Sequence, residues 1–353
     1  MTVFCVLFAD VSNGEQPIFI SDVLLTAELR HSADGERYEK TYIPSIGGTF
    51  PQVSQNASIS GLIQKTYILP MGHCLSLAGD FESVLNFYAE IKSKTDLFDV
   101  ANIISRYKKS LQFAVAMLDR DTDRIYLCAT ESCRQLTPGS YGSVLIGGSG
   151  HNTLRKLLIA HQHRPFVGDP ALDSIGRALV LINEALEMDE SAPIETLGEH
   201  FGAYYEIAEF TGSQFVKIDN VAHHYVTIKI IDGTAHWILE KSYYHEYCGG
   251  NLLVRRISWG QDFVWQDCYV IGGFNGPVNL REVQLRVSDT APIPMFEVIR
   301  LKFETSNFRV VSNRRHLIKI RKEGDRWFGD VDNIAANELA NYIADELEAT
   351  RTS

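Results

Sequence analysis

The chain has 353 residues, which is long enough for more than one hydrophobic core, so two domains are the natural expectation. Hydrophobic residues make up 45% and charged residues 22%, a composition typical of a folded globular protein and not of a disordered one. The formal net charge is −11, and this excess of acidic side chains disfavours nucleic acid as a partner because it repels phosphate.

Cysteine spacing and hydropathy narrow the class of protein further. The 6 cysteines are scattered without a Cys-x-x-Cys pair, so we expect neither a disulfide framework nor a zinc site, and no cofactor. No stretch approaches the roughly 18 consecutive apolar residues of a membrane helix, and the start lacks the pattern of a secretory leader. The sequence therefore predicts a cytoplasmic protein with no membrane association.

The first elements are two strands and a polar insertion. Residues 3–8 form an apolar run rich in β-formers, which predicts a strand buried on both faces. Residues 17–25 predict its antiparallel partner and carry Asp22 among apolar neighbours. Because a carboxylate in a buried strand is unfavourable unless it is paired, Asp22 predicts a specific role. The polar, turn-rich stretch 27–61 predicts a hairpin or flap.

Strand pairs and helix pairs then alternate along the chain. Asp80 is the predicted N-cap of the first helix, and the acidic turn at 119–123 lacks the glycine and bidentate acid of a calcium loop, so it predicts a plain turn. Strands are predicted at 65–69, 74–78, 113–118, 124–130, 144–146, 215–218 and 226–231, and helices at 81–91, 97–111, 152–161 and 172–187. Helices that occur in pairs between runs of strands favour a layered α+β fold.

The last third of the chain has a different character. From about residue 234 it is rich in aromatic residues and in strand-like segments, and an amphipathic helix is predicted at 333–349. We therefore divide the chain into a first domain of residues 1–231 and a mostly-β second domain of residues 232–353.

Four short segments in the first part occur in a recognisable order. They are Ile20-Ser21-Asp22 followed by Thr26, Gln64-Lys65-Thr66-Tyr67-Ile68, Ser76-Leu77-Ala78-Gly79-Asp80-Phe81-Glu82-Ser83, and Gly148-Ser149-Gly150. Together with the succession of strands and helices, they resemble the proteasome β-subunit family of N-terminal-nucleophile (Ntn) hydrolases over residues 2–231. The resemblance implies a four-layer αββα sandwich of two antiparallel sheets between two pairs of helices, with the mostly-β domain appended at its C-terminal end.

The resemblance also implies a nucleophile and its activation. Removal of Met1 would make Thr2 the first residue, so that one residue has both a hydroxyl nucleophile and an α-amine whose pKa of about 8 suits a general base. In that family a lysine, here Lys65, stabilises the developing negative charge, and an aspartate, here Asp22, holds the lysine.

Three further site residues follow from the same resemblance. The backbone N–H of Gly79 would donate to the oxyanion, Ser149 would orient the amine, and Thr26 would hold the substrate backbone. The expected function is hydrolysis of a peptide or amide substrate by a threonine-type protease or amidohydrolase. Ring-forming relatives leave assembly into a homo-oligomer open.

Departures from the family pattern leave two other functions open. The family's arginine two residues after the aspartate is replaced by Leu24, and its acid and serine near the last motif align only loosely with Glu209 and Thr211. The alternative is a catalytically inactive scaffold or binding protein with the same fold. A third possibility is a recognition function in the second domain, with Trp237, Trp259 and Trp265 as a binding face, although aromatic residues at strand spacing usually belong to a core.

Overall fold

The computed structural model describes most of the chain. The described residues are 3–28, 41–50, 57–162, 166–168, 170–232, 234–260, 264–273, 294–303, 307–313, 316–323, 326–332, 336–337 and 339–340.

Helices and strands both contribute heavily, as the sequence predicted. Up to residue 191 the elements are β1 Val3–Leu7, β2 Ile18–Asp22, β3 Leu24–Glu28, β4 Tyr42–Ile43, β5 Gly48–Thr49, β6 Ala57–Leu62, β7 Thr66–Ile68, β8 Cys74–Ala78, α1 Phe81–Ile91, α2 Leu97–Tyr107, β9 Gln112–Asp119, β10 Arg124–Ala129, β11 Arg134–Leu136, β12 Val144–Gly148, α3 His151–His161, β13 Val167–Gly168 and α4 Asp173–Ser191. The later strands are β14 Tyr205–Phe210, β15 Phe215–Lys217, β16 Val221–Ile231, β17 Thr234–Cys248, β18 Asn251–Trp259, β19 Val264–Ile271, β20 Phe296–Lys302, β21 Asn307–Ser312, β22 Ile318–Glu323 and β23 Arg326–Val331.

Strand β1 lies inside a 6-stranded sheet with the order β11-β12-β1-β2-β14-β15. It pairs antiparallel with β2 on one side and with β12 on the other, so that Val3 lies opposite Gly148. All its residues are buried, which confirms the prediction of a strand covered on both faces. The start of β1, the end of β2 and the end of β12 therefore meet at one edge of this sheet.

A 4-stranded sheet with the order β10-β9-β8-β7 packs against the first one. The side chains between the two sheets are small or aromatic, including Phe4 and Phe19 from one sheet and Ala78, Ala114 and Ala116 from the other. This layer explains the alternation of large and small residues along β1 and β9, because rings on one sheet fill the space left by alanines on the other.

The outer faces of both sheets are covered by helices. Helices α1 and α2 begin at the side-chain caps Asp80 and Asp96, as Asp80 was predicted to do, and their apolar faces pack on the 4-stranded sheet. Helices α3 and α4 pack on the 6-stranded sheet through residues such as Leu154 and Leu179. Helix α4 is buried along most of its length because it has a sheet on each side.

A third, 7-stranded sheet lies on the other side of α4, with the order β13-β21-β20-β16-β17-β18-β19. Its central strand β16 pairs antiparallel with β17 over the whole hairpin, from Ile231 opposite Thr234 to Val221 opposite His245. The boundary predicted between residues 231 and 232 falls in the turn of this hairpin. The apolar core is also continuous from Val3 and Leu179 to Val254, so the structure does not separate two units at that position.

One predicted strand is divided in the structure, and one predicted helix is described only in part. The strand predicted at 17–25 is two strands, because Val23 leaves the 6-stranded sheet and β3 pairs instead with β6. Of the helix predicted at 333–349, only residues 336, 337, 339 and 340 are described, and these are helical. The remainder of that prediction lies outside the described residues. Residues 29–40 and 51–56 of the predicted 27–61 insertion also lie outside them.

Candidate functional site

A buried ion pair lies where β1 and β2 meet β7. The Lys65 ammonium is 2.9 Å from Asp22 Oδ1, and the two side chains are only 7% and 0% exposed. Lys65 Nζ also donates to the carbonyl oxygen of Leu24 at 2.5 Å. Burial lowers the pKa of Lys65, and the negative charge of Asp22 opposes that change. The pairing that the sequence predicted between these two residues is therefore present.

The Asp22 carboxylate also accepts hydrogen bonds from three backbone N–H groups. Its Oδ1 accepts from Val3 N at 2.8 Å, and its Oδ2 accepts from Leu24 N and Gly202 N at 3.1 Å each. Charge-assisted bonds of this kind offset the loss of hydration on burial. The carboxylate thus fixes the start of β1, the bend after β2 and the segment before β14 around the Lys65 ammonium.

Gly79 and Ser149 line one open pocket of about 480 Å³, together with Gln112 and His151. Gly79 has a φ of +153° and its Cα lies against Leu111, so that a Cβ there would be 2.6 Å from Leu111 Cδ2. Only glycine fits this close approach without a shift of its neighbour. The pocket lies at the end of β12, and Gly148 in that strand pairs with Val3.

The two other predicted site residues are Thr2 and Thr26. Thr2 lies outside the described residues, so its predicted role stays a prediction. Thr26 lies on β3 and pairs with Ile59, so β6 already occupies one edge of its strand. Substrate added to β3 as a further strand would have to use the other edge.

Sequence reasoning missed the segment that precedes β14. Ser149 Oγ donates to the carbonyl oxygen of Glu199 at 3.4 Å, while Gly202 N donates to Asp22. In contrast, Glu209 pairs with Ile18 at the opposite end of β2 from Asp22, so the loose alignment placed Glu209 away from the Asp22–Lys65 pair. The missed signal is Gly202, whose φ of +115° marks a backbone conformation that other residues rarely adopt.

Asp189, on α4, is a second buried carboxylate beside this segment. It accepts from Ala203 N at 2.9 Å and from the Tyr205 hydroxyl at 3.5 Å. Burial, above all, raises its pKa from 3.8 to about 7, and the nearby charge of Asp22 acts in the same direction. Sequence periodicity could not find it because α4 is buried nearly all round.

Asp189 predicts a pH-dependent stability. Because the folded protein binds this proton more tightly than the unfolded chain, its contribution is largest below pH 3.8 and is lost as the pH rises to about 7. The loss is on the order of 4 kcal/mol in the free energy of unfolding. Urea unfolding at several pH values should show a flatter dependence for Asp189→Asn than for the wild type. Asp173→Asn at the surface serves as the control, and an unchanged slope in Asp189→Asn would contradict the prediction.

The aromatic face that the sequence raised as a third possibility is divided in the structure. Trp237 and Trp259 pack against apolar clusters, and Trp265 is 61% exposed. Two of the three tryptophans are therefore partly buried against the core, which favours a packing role for these aromatic residues.

Comparisons with known proteins found no match. No family model matches the chain, and no curated protein matches it.

Within the described residues, no group of three or more histidine, cysteine or acidic side chains has the geometry of a metal site. No helix in that part of the chain is both long and apolar enough to cross a membrane.

Proposed function

We propose that the protein is a threonine-type Ntn amidohydrolase or peptidase, with Thr2 as nucleophile after removal of Met1. One observation carries the proposal: Asp22 Oδ1 accepts a hydrogen bond both from Val3 N and from the Lys65 ammonium. Thr2 is joined through its own carbonyl carbon to that Val3 nitrogen. The geometry thus supports a nucleophilic residue whose peptide bond supplies the N–H that shares the Asp22 acceptor with the Lys65 ammonium.

In the proposed reaction, the α-amine of Thr2 takes the hydroxyl proton while Oγ attacks the carbonyl carbon of a peptide or amide. The Lys65 ammonium favours the developing alkoxide, and Asp22 keeps that ammonium in place. The amine then gives its proton to the departing nitrogen, which leaves an ester on Thr2. Water activated by the same amine cleaves the ester and restores the threonine.

The pocket with Gly79 and Ser149 is the proposed place for the reacting carbonyl group. It is bounded by the end of β8 and the end of β12, and Gly148 in its lining pairs with Val3 at the start of β1. The packing of paired helices on the outer faces of two facing sheets supports the αββα sandwich of Ntn hydrolases. A cytoplasmic location and assembly of copies into a homo-oligomer belong to the same proposal.

The rival is an inactive member that uses the fold as a scaffold or binding module. Its support is the replacement of the family's arginine by Leu24, whose carbonyl oxygen is nevertheless a partner of Lys65. The two functions differ in whether Thr2 has a free amine. An intact mass of the purified protein that retains Met1 would favour the scaffold.

Labelling with a β-lactone tests the proposed nucleophile. Attack by Thr2 Oγ opens the lactone ring and adds the whole inhibitor mass as an ester, so the N-terminal peptide should gain that mass. Thr2→Ala should abolish labelling without unfolding the protein, and Thr2→Ser should retain it. Thr122→Ala, which removes a hydroxyl in the β9–β10 turn, should label like the wild type. Labelling that persists in Thr2→Ala would overturn the proposal.

A further inference from the structure

Glu206 is a buried carboxylate that no site motif accounts for. It lies on β14 with no exposed surface, and its Oε1 accepts from the backbone N–H groups of Lys65 and Thr66 at 2.5 Å each. The Ser21 hydroxyl donates to the same oxygen at 3.1 Å. One carboxylate oxygen therefore fixes the backbone of the residue that bears the site ammonium.

The other oxygen of Glu206 connects this backbone to the 7-stranded sheet. Lys217 Nζ donates to Glu206 Oε2 at 2.7 Å and to Gln64 Oε1 at 2.5 Å. The Gln64 side-chain amide donates in turn to the carbonyl oxygens of Gly250 at 2.8 Å and Ile271 at 2.9 Å. Gln64 precedes Lys65 directly, so the backbone at Lys65 is held by Glu206 and, through Gln64, by the 7-stranded sheet.

We infer that Glu206 is a positioning residue for Lys65, which it holds by the backbone and ties through Lys217 and Gln64 to the 7-stranded sheet. The inference rests on the proposed function, since it assigns Glu206 a part in the same site. It also gives the C-terminal strands a part in supporting that site, because the carbonyl oxygens of Gly250 and Ile271 accept the hydrogen bonds of the Gln64 side chain.

Charge gives Glu206 an effect that a purely structural residue would not have. Burial lowers the pKa of Lys65, while the negative charges of Asp22 and Glu206 oppose this change. The other titratable groups that face the Glu206 carboxylate are Lys217 on β15, Cys74 on β8, and His245 and Tyr247 on β17. Removal of the Glu206 charge should therefore make Lys65 easier to deprotonate.

The test uses the full chain with ¹⁵N-labelled lysine side chains, and Lys65→Met assigns the Lys65 signal. Glu206→Gln keeps the shape of the side chain and removes its charge, so the titration midpoint of Lys65 should fall to a measurably lower pH. The alkaline limit of β-lactone labelling should fall with it. Glu209→Gln, on the same strand but opposite Ile18, is the matched control and should change neither.

An unchanged Lys65 midpoint in Glu206→Gln, or an equal fall in Glu209→Gln, would overturn the inference. If the wild type is not labelled at Thr2 but the midpoint falls in Glu206→Gln alone, the proposed hydrolase function fails and the action of Glu206 on Lys65 stands. Should Glu206→Gln not fold, Lys217→Gln replaces it. That variant removes the ammonium that compensates the Glu206 carboxylate, so the negative charge of Glu206 should act more strongly on Lys65 and the Lys65 midpoint should rise. A fall or no change would contradict the inference.

Discussion

Asp22→Ala is expected to lower the free energy of unfolding by about 3–5 kcal/mol and to abolish labelling at Thr2. The substitution leaves the Lys65 ammonium buried without its counter-charge. It also removes the acceptor of three backbone N–H groups, those of Val3, Leu24 and Gly202. Each unpaired buried group adds to the loss. Urea unfolding monitored by tryptophan fluorescence measures the change.

The control for this prediction is Asp173→Asn. Asp173 pairs with Arg177 at the surface of α4, where its side chain is 56% exposed, and such pairs contribute no more than about 1 kcal/mol. Asp22→Ala in a Lys65→Met background separates the two contributions. Because the backbone N–H groups would still lose their acceptor, we expect it to remain destabilising there. A loss no larger than that of Asp173→Asn would contradict the buried network.

Gly202→Ala should have the second large effect, a loss of roughly 3 kcal/mol or more in the free energy of unfolding. The φ of +115° is unfavourable for alanine, and its Cβ would lie 2.6 Å from Asp189 Oδ1. Asp189 cannot easily move away, because the next residue, Ala203, donates to its other oxygen. Relief of the clash would pull Gly202 N from Asp22 and so disturb the Lys65 ammonium as well.

Gly198→Ala is the matched control, because it lies in the same connection between α4 and β14. A Cβ at Gly198 would meet its nearest neighbour at 3.6 Å, which is ordinary contact. We expect its unfolding curve and its β-lactone labelling to resemble those of the wild type. Equal behaviour of the two alanine variants would show that the Gly202 segment does not hold the site together.

The sequence was informative where a local pattern strongly favoured one structure. The apolar, β-former-rich run at the start of the chain predicted a strand covered on both faces, and Asp80 marked a helix start by side-chain capping; both are present in the structure. Asp22 was found because a carboxylate among buried apolar residues needs a partner, and Lys65 is that partner in the structure. Their catalytic roles stay predictions.

The sequence could not reveal contacts that join distant strands by geometry alone. Glu206 looks like an ordinary acidic residue on a strand, and Gly202 and Asp189 belong to no local pattern. Only the pairing of β14 with β2 brings Glu206 to the Lys65 backbone and Gly202 to Asp22. Pairing of strands far apart in sequence depends on the packing of whole sheets, which periodicity does not encode.

The predicted division into two domains also shows what a local sequence pattern does not reveal. A change of composition near residue 234 was the only local sign of a boundary, and it coincides with the turn between β16 and β17. Burial of α4 between two sheets places residues from both sides of that turn in one core. The sequence by itself determined most of the strands, the helix starts and the need of Asp22 for a partner, because each depends on neighbours or on the cost of a buried charge, whereas Lys65 was named as that partner through the family resemblance. The tertiary structure decided the extent of the core and the supports of the site, because both depend on which surfaces meet after the strands have formed.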